Sequence, residues 1–329
     1  MIFLNTFQHN KPIYSTVQRS SVDANNIAYD VSKNILYYVT GNAVNTQVSF
    51  LDMNTMQVLG TFPHTVNRVR GIIYNPADNR LYVNFLVPGE FGFSTHIYDC
   101  DTLALVNTIP MTIYDARFRG LATPENTYIP YGGISGGQST TGGFLKISTS
   151  TGAVTTVNHG GGWGQTCAWD SNRNRLWIPL TGNYYNYLKI YDLNTDTTFY
   201  NSADDGTYNP PFYGFSSITN SYDPVNDVMY MMEEYGGIIY KLNAATGARI
   251  ASGSLGSEVR TYGTFNFNSN YSELYITCTN EIQVWDTSTM TKKQSIPNTI
   301  PSSYCHVIVR NDEVRFLANS AGIFEILVN

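Results

Sequence analysis

The chain is patterned as short apolar runs broken by turn-forming residues at nearly regular intervals. One unit reads Gly71-Ile72-Ile73-Tyr74, then the turn Asn75-Pro76-Ala77-Asp78-Asn79, then Arg80-Leu81-Tyr82-Val83-Asn84. After a loop it continues with His96-Ile97-Tyr98, the turn Asp99-Cys100-Asp101-Thr102, and a last run to Ile109. Runs of β-branched and aromatic residues punctuated by Asn, Asp, Pro and Gly predict strands joined by tight turns, four strands to the unit. The unit recurs. Val31, Pro76, Pro124, Ser171, Pro224, Ser269 and Asn311 fall at its first turn, with spacings of 45, 48, 47, 53, 45 and 42 residues.

Seven repeats of this period, four strands each, predict an all-β, seven-bladed β-propeller made as a single domain of antiparallel blades. The blades are expected at 25–64, 69–110, 117–158, 165–200, 215–252, 262–297 and 304–329. The last of these is one strand short. Ile2-Phe3-Leu4-Asn5-Thr6-Phe7-Gln8-His9 aligns with the fourth strand of the first blade, Gln57-Val58-Leu59-Gly60-Thr61-Phe62-Pro63-His64. Residues 1–9 are therefore expected to form the outer strand of blade seven, with 2–8 beside 323–328, closing the ring and removing an aggregation-prone edge.

Leu81-Tyr82-Val83-Asn84 and Leu36-Tyr37-Tyr38-Val39-Thr40, with the Gly-apolar-apolar-x-Asn-Pro run that precedes the first of them, carry a resemblance to the YVTN family of WD40-like β-propeller repeats. Blades three and five depart from that pattern. The resemblance implies the propeller fold and a role often met in that family, in surface-layer and surface-associated proteins.

In such a blade the first-to-second and third-to-fourth turns share one face, and here they are short and polar. Longer connections, at 86–94, 131–143, 159–165, 182–187, 201–215 and 233–237, belong to the opposite face. Long loops on a compact scaffold are where binding residues concentrate, so a ligand or partner is expected there.

Charge narrows the partners. With a net charge of −6 and 13% charged residues, the chain lacks the basic surface that nucleic acid needs. No run approaches the roughly 18 apolar residues of a membrane span, and residues 1–15 lack the charged start and apolar core of a leader, which predicts no cleaved signal peptide. Cys100, Cys167, Cys278 and Cys305 stand at long, irregular spacings and read as free thiols in or beside strands. A Cys278–Cys305 bridge requires adjacent blades to bring the two together.

Among candidate site residues, Arg68, Arg70, Arg117 and Arg119 precede the innermost strands of blades two and three. Gathered at the channel mouth, guanidinium groups suit a carboxylate or phosphate; paired with Asp115, Glu90 or Glu258, they merely tie loops together. His9, His64 and His159 share one repeat position at the outer rim, too far apart for a common metal, and His306 alone is expected near the channel.

Gly133-Ile134-Ser135-Gly136-Gly137 has the spacing of a hydrolase nucleophile elbow, but a loop between strands lacks the strand-to-helix turn that motif needs. Gly160-Gly161-Gly162-Trp163-Gly164 resembles a phosphate loop yet leads into a strand. The neighbouring carboxylates Glu233-Glu234 and Asp204-Asp205 point apart on extended backbone. No cofactor is expected, a loop calcium at Asp204 and Asp205 being the nearest alternative. Loop aromatics, among them Trp163, Tyr184, Tyr185, Tyr213 and Tyr235, offer stiff contact area with a polar tip.

These features support a non-enzymatic propeller that docks other proteins through its long-loop face, or a blade edge, as a component of a virion or cell-surface assembly. The Asn, Thr, Ser, Gly and Tyr bias with few lysines is compatible with an exposed protein, a cytoplasmic one being the alternative. A lactonase-like or lyase-like enzyme, or a carbohydrate-binding propeller, with its site at the channel mouth is the alternative, since one architecture hosts many activities.

Overall fold

A computed structural model describes residues 14–21, 26–42, 45–64, 66–87, 92–111, 114–115, 120–133, 142–158, 163–164, 166–181, 186–201, 218–233, 237–256, 265–278, 281–297, 305–310, 314–319 and 322–328 of the 329-residue chain. The described residues form seven antiparallel sheets. The first is Ile27–Asp30, Ile35–Asn42, Asn45–Asp52 and Gln57–Thr61; the second is Val69–Asn75, Arg80–Leu86, Phe93–Asp99 and Leu105–Met111. In the third, Tyr114–Asp115 and Leu121–Ala122 both pair with Asn126–Gly133, followed by Gly142–Ser148 and Val154–Asn158. The fourth likewise has a divided first strand, Trp163–Gly164 and Ala168–Asp170, against Arg175–Thr181, then Asn186–Asp192 and Thr197–Asn201.

The fifth sheet is Ile218–Asp223, Val228–Glu233, Ile238–Asn243 and Arg249–Ser254, and the sixth is Phe265–Phe267, Glu273–Thr277, Glu281–Asp286 and Thr291–Pro297. The seventh orders Cys305–Arg310, Val314–Asn319 and Gly322–Val328, with Tyr14–Ser20 as its outer strand.

That outer strand corrects the sequence expectation. Val17 lies opposite Glu325, Thr16 opposite Ile326, and Arg19 Nε donates to Glu325 Oε2 at 2.6 Å. Gly322–Val328 pairs with Val314–Asn319 along its other edge, so both its edges are taken and residues 2–8 have no place beside it. The N-terminal part of the chain does supply the last sheet's edge, but from residues 14–20 rather than 1–9, which lie outside the described residues.

The second strand of each sheet explains how the sheets assemble. Leu36, Tyr37 and Tyr38, Leu81 and Tyr82, Leu176 and Trp177, Met229 and Tyr230, and Leu274 and Tyr275 are all buried, so both faces of these strands are covered. Burying one such side chain contributes about 1.5–3 kcal/mol, and a strand with two apolar faces needs a partner on each. Neighbouring sheets provide it. Tyr37 packs with Ile72 and Leu81, Tyr82 with Ile129, Tyr128 with Leu176, Trp177 with Met229, Tyr230 with Leu274, and Tyr275 with Val307. Finally Phe316 and Ile308 of the seventh sheet pack with Leu36 and Leu51 of the first. This is a β-propeller of four-stranded antiparallel blades.

The short turns hold themselves. Asp30 Oδ1 accepts N–H bonds from Ser32 and Lys33 at 2.9 and 3.2 Å, and Asp170 and Asp223 cap the equivalent turns in the same way. Such Asx turns satisfy backbone donors that a sharp reversal would otherwise orphan. In the second, fourth and fifth sheets the closing residue of the turn is left-handed: Asn79 has φ 53°, Asn174 53° and Asp227 55°. Its side chain is then latched by the aromatic that precedes the turn. Tyr74 Oη and Trp169 Nε1 each donate at 3.1 Å to Asn79 and Asn174, and Tyr222 Oη donates at 2.9 Å to Asp227.

Candidate functional site at the long-loop end

Because every sheet is antiparallel, the capped turns lie at one end of the strands and the remaining connections at the other. First strands run against first strands of neighbouring sheets: Ile27–Asp30 beside Val69–Asn75, Ile218–Asp223 beside Phe265–Phe267, and Phe265–Phe267 beside Cys305–Arg310. Their beginnings therefore gather at the long-loop end of the innermost layer. Arg70, Trp163 and His306 hold corresponding places there, since Val69 pairs with Phe85, Trp163 with Thr181, and Cys305 with Asn319, each partner at or next to the end of its second strand.

Arg70 is the extra residue of a bulge, because Val69 opposes Phe85 while Gly71 opposes Asn84. A bulge re-aims the side chain it inserts, and this one leaves Arg70 half-buried. Arg68 is exposed, with a left-handed φ of 29°, and its carbonyl accepts from Leu86 N–H at 3.3 Å. Arg117, Arg119, Tyr184, Tyr185, Tyr213 and Tyr235 lie outside the described residues, as do Ser135, Asp204 and Asp205. Among the described residues, no three His, Cys, Asp or Glu side chains gather to hold a metal.

Sequence reasoning missed a histidine pair. His64 was placed at the outer rim, but His96, from the third strand of the second sheet, comes within 6.1 Å of it, ring centre to ring centre. His96 also packs edge-on to Phe85 at 4.5 Å, and its Nδ1 lies 2.9 Å from Tyr98 Oη. Burial, and then the neighbouring His64, lower its pKa. The signal was present in the repeat position of His64 combined with the outward alternation of His96, but only the packing of two sheets joins them.

Cys100 and Cys167 are free thiols, and the side chain of Cys305 lies outside the described ones. Burial pushes the Cys100 thiol up to about 12, and Cys167 upward too, so neither is a ready nucleophile. No helix among the described residues is long and apolar enough to cross a membrane.

No protein-family model matches the sequence, and no curated protein does. Solved structures do. A chain of "Crystal Structure of Mitotic Checkpoint Complex" superposes with a TM-score of 0.67 at 14% identity, covering 100% of this chain and 98% of that one. At that identity the likeness concerns the fold alone, and it agrees with the β-propeller arrangement of the sheets described above.

Proposed function

We propose that the chain is a seven-bladed, YVTN-type propeller completed by Tyr14–Ser20, and that it is a protein-binding component of a virion or cell-surface assembly. It docks through the long-loop face, where the first strands begin with Arg70, Trp163 and His306. The observation that carries this reading is the asymmetry of the two ends. At the short-turn end, Asx caps, aromatic latches and inter-sheet ion pairs tie many of the polar groups to one another. The other end is where the longer connections of the sequence belong, and with them Trp163, Tyr184, Tyr185, Tyr213, Tyr235 and the candidate arginines. A rigid scaffold with one self-satisfied face presents its variable loops from the opposite one. The Asn, Thr, Ser, Gly and Tyr bias supports an exposed setting, and the structural neighbour comes from a protein complex.

Hydrogen exchange on the isolated chain and on the chain in its native assembly tests this. Amides at 134–141, 182–185 and 202–217 should gain protection on assembly, while the turns at 31–34 and 171–174 should not change. Protection confined to the short turns, or a native monomer that turns over a lactone or a polysaccharide, overturns the proposal.

A further inference from the structure

The outer strands of the sheets are not equally guarded. In six of the seven, the register against the third strand slips by one residue and leaves an unpaired bulge: Leu59, Val106, Phe199, Ile250, Lys293 and Arg19. Bulges twist an edge out of the geometry that a further strand needs, and charge or proline reinforces the effect. Pro110 and Pro297 sit in two of these strands, the second of which also carries Lys292, and Arg249 and Arg19 sit in two others.

The third sheet is the exception. Val154–Asn158 pairs with Gly142–Ser148 in unbroken register from Gly143 opposite Asn158 to Ile147 opposite Val154. Its sequence, Val-Thr-Thr-Val-Asn, has no charge, proline or glycine, and its residues are exposed except for the half-covered Val157. Among the described residues nothing pairs with its outer edge. Alternate residues of such a strand turn N–H and C=O groups outward, which is the template for strand addition.

The same chain carries a further segment with the sequence pattern of an outer strand. Residues 2–9 match residues 57–64, an outer strand, at Leu4, Thr6, Phe7 and His9, yet Tyr14–Ser20 fills the position where that strand was expected. Ile2, Phe3, Leu4 and Phe7 are apolar, and the segment has no Asp, Glu, Lys, Arg or proline.

We infer that the edge Val154–Asn158 is a strand-addition site, and that its occupant is the segment 2–8 of a second copy of this chain. The chain's own segment cannot serve. Six residue steps from residue 8 to Tyr14 reach roughly 20 Å at most. The third sheet stands three sheet-to-sheet steps from the seventh, each roughly 10 Å or more at the rim. Donor and acceptor are different surfaces, so the contact is head-to-tail, and it is independent of docking through the long-loop face.

Two variants separate the halves of the contact. Deleting residues 1–9 removes the donor and leaves Tyr14–Ser20 in place; Thr155→Lys with Thr156→Lys charges the edge through two exposed side chains. Sedimentation over a concentration series should give a mass above the monomer for the full chain and the monomer mass for each variant alone. Mixed together, the two variants should form a one-to-one complex of about twice the monomer mass, because one retains the edge and the other the segment. A full chain that stays monomeric, association that survives either change, or a mixture that fails to complement overturns the inference. Circular dichroism matching the full chain establishes that each variant is folded.

Discussion

Arg173 shows how one side chain binds two sheets. It closes the first turn of the fourth sheet, where Nη1 donates to Asp170 Oδ2 at 3.1 Å, and it forks onto Asp227 of the fifth sheet with Nη1 at 2.6 Å and Nη2 at 2.5 Å. Lys33 does the same from the equivalent position of the first sheet, reaching Asn79 at 3.1 Å and Asp101 at 3.0 Å in the second. The Arg173 guanidinium beside Asp227 holds that carboxyl below the ordinary carboxylate range. The folded state then binds fewer protons than the unfolded one between Asp227's lowered value and the ordinary one near 3.9. Stability from the pair is complete above the ordinary value and is lost as pH falls through the lowered one. Arg173→Gln should cost about 1–2 kcal/mol at neutral pH, since Asp227 is partly exposed while Asp170 is fully buried. It should also flatten the acid limb of the stability curve below about pH 4. Urea titrations from pH 7 to 3 check both, and superimposable curves for the two proteins contradict the assignment. The turn holding Arg173 is legible in Asp170-Ser171-Asn172-Arg173-Asn174, but its partner lies 54 residues on, and only the stacking of adjacent sheets reveals it.

The hairpin is the element that the sequence describes best, because its chemistry is local. Each third-to-fourth turn ends on a left-handed residue, and the residue chosen depends on what the side chain can reach. Gly152 has φ 70°, and an added Cβ there would meet nothing within 4 Å. Leu103 takes φ 60° at the equivalent place, yet its side chain packs into the cluster between the first and second sheets, which offsets the backbone cost. Gly152→Ala should therefore destabilise by about 1 kcal/mol through the backbone alone. Leu103→Gly should also destabilise, despite relieving its backbone, because burial is lost. Thermal melts of the two variants test the pair, and a more stable Leu103→Gly contradicts the packing argument. Loop residues follow no such local rule. Arg117, Arg119 and Tyr213 could be assigned to an end of the ring from the order of strands, but no turn signature fixes where their side chains go.

At the scale of the whole molecule, seven turns at a regular spacing were readable because each second strand needs an apolar neighbour on both faces, a demand that only a stack of like sheets meets. The N-terminal strand was misplaced for the opposite reason. An outer strand is covered on one edge and largely exposed, so its pattern is weak and two segments, 2–8 and 14–20, fit it about equally well. The pairing of Tyr14–Ser20 with Gly322–Val328, supported by the Arg19–Glu325 ion pair at 2.5 Å, reverses the consequence of truncation. Removal of residues 1–9 should leave the melting temperature unchanged at concentrations where the chain is monomeric, so that self-association adds nothing to stability. Removal of residues 1–21 strips the seventh sheet of its outer strand and bares the far edge of Gly322–Val328, whose Ile323 and Ile326 are buried against the first and sixth sheets. That truncation should lower the melting temperature by at least about 5 °C and promote aggregation through the bared edge. Differential scanning calorimetry of the two truncations decides the matter: a fall already complete at residue 9 would return the outer strand to the first nine residues.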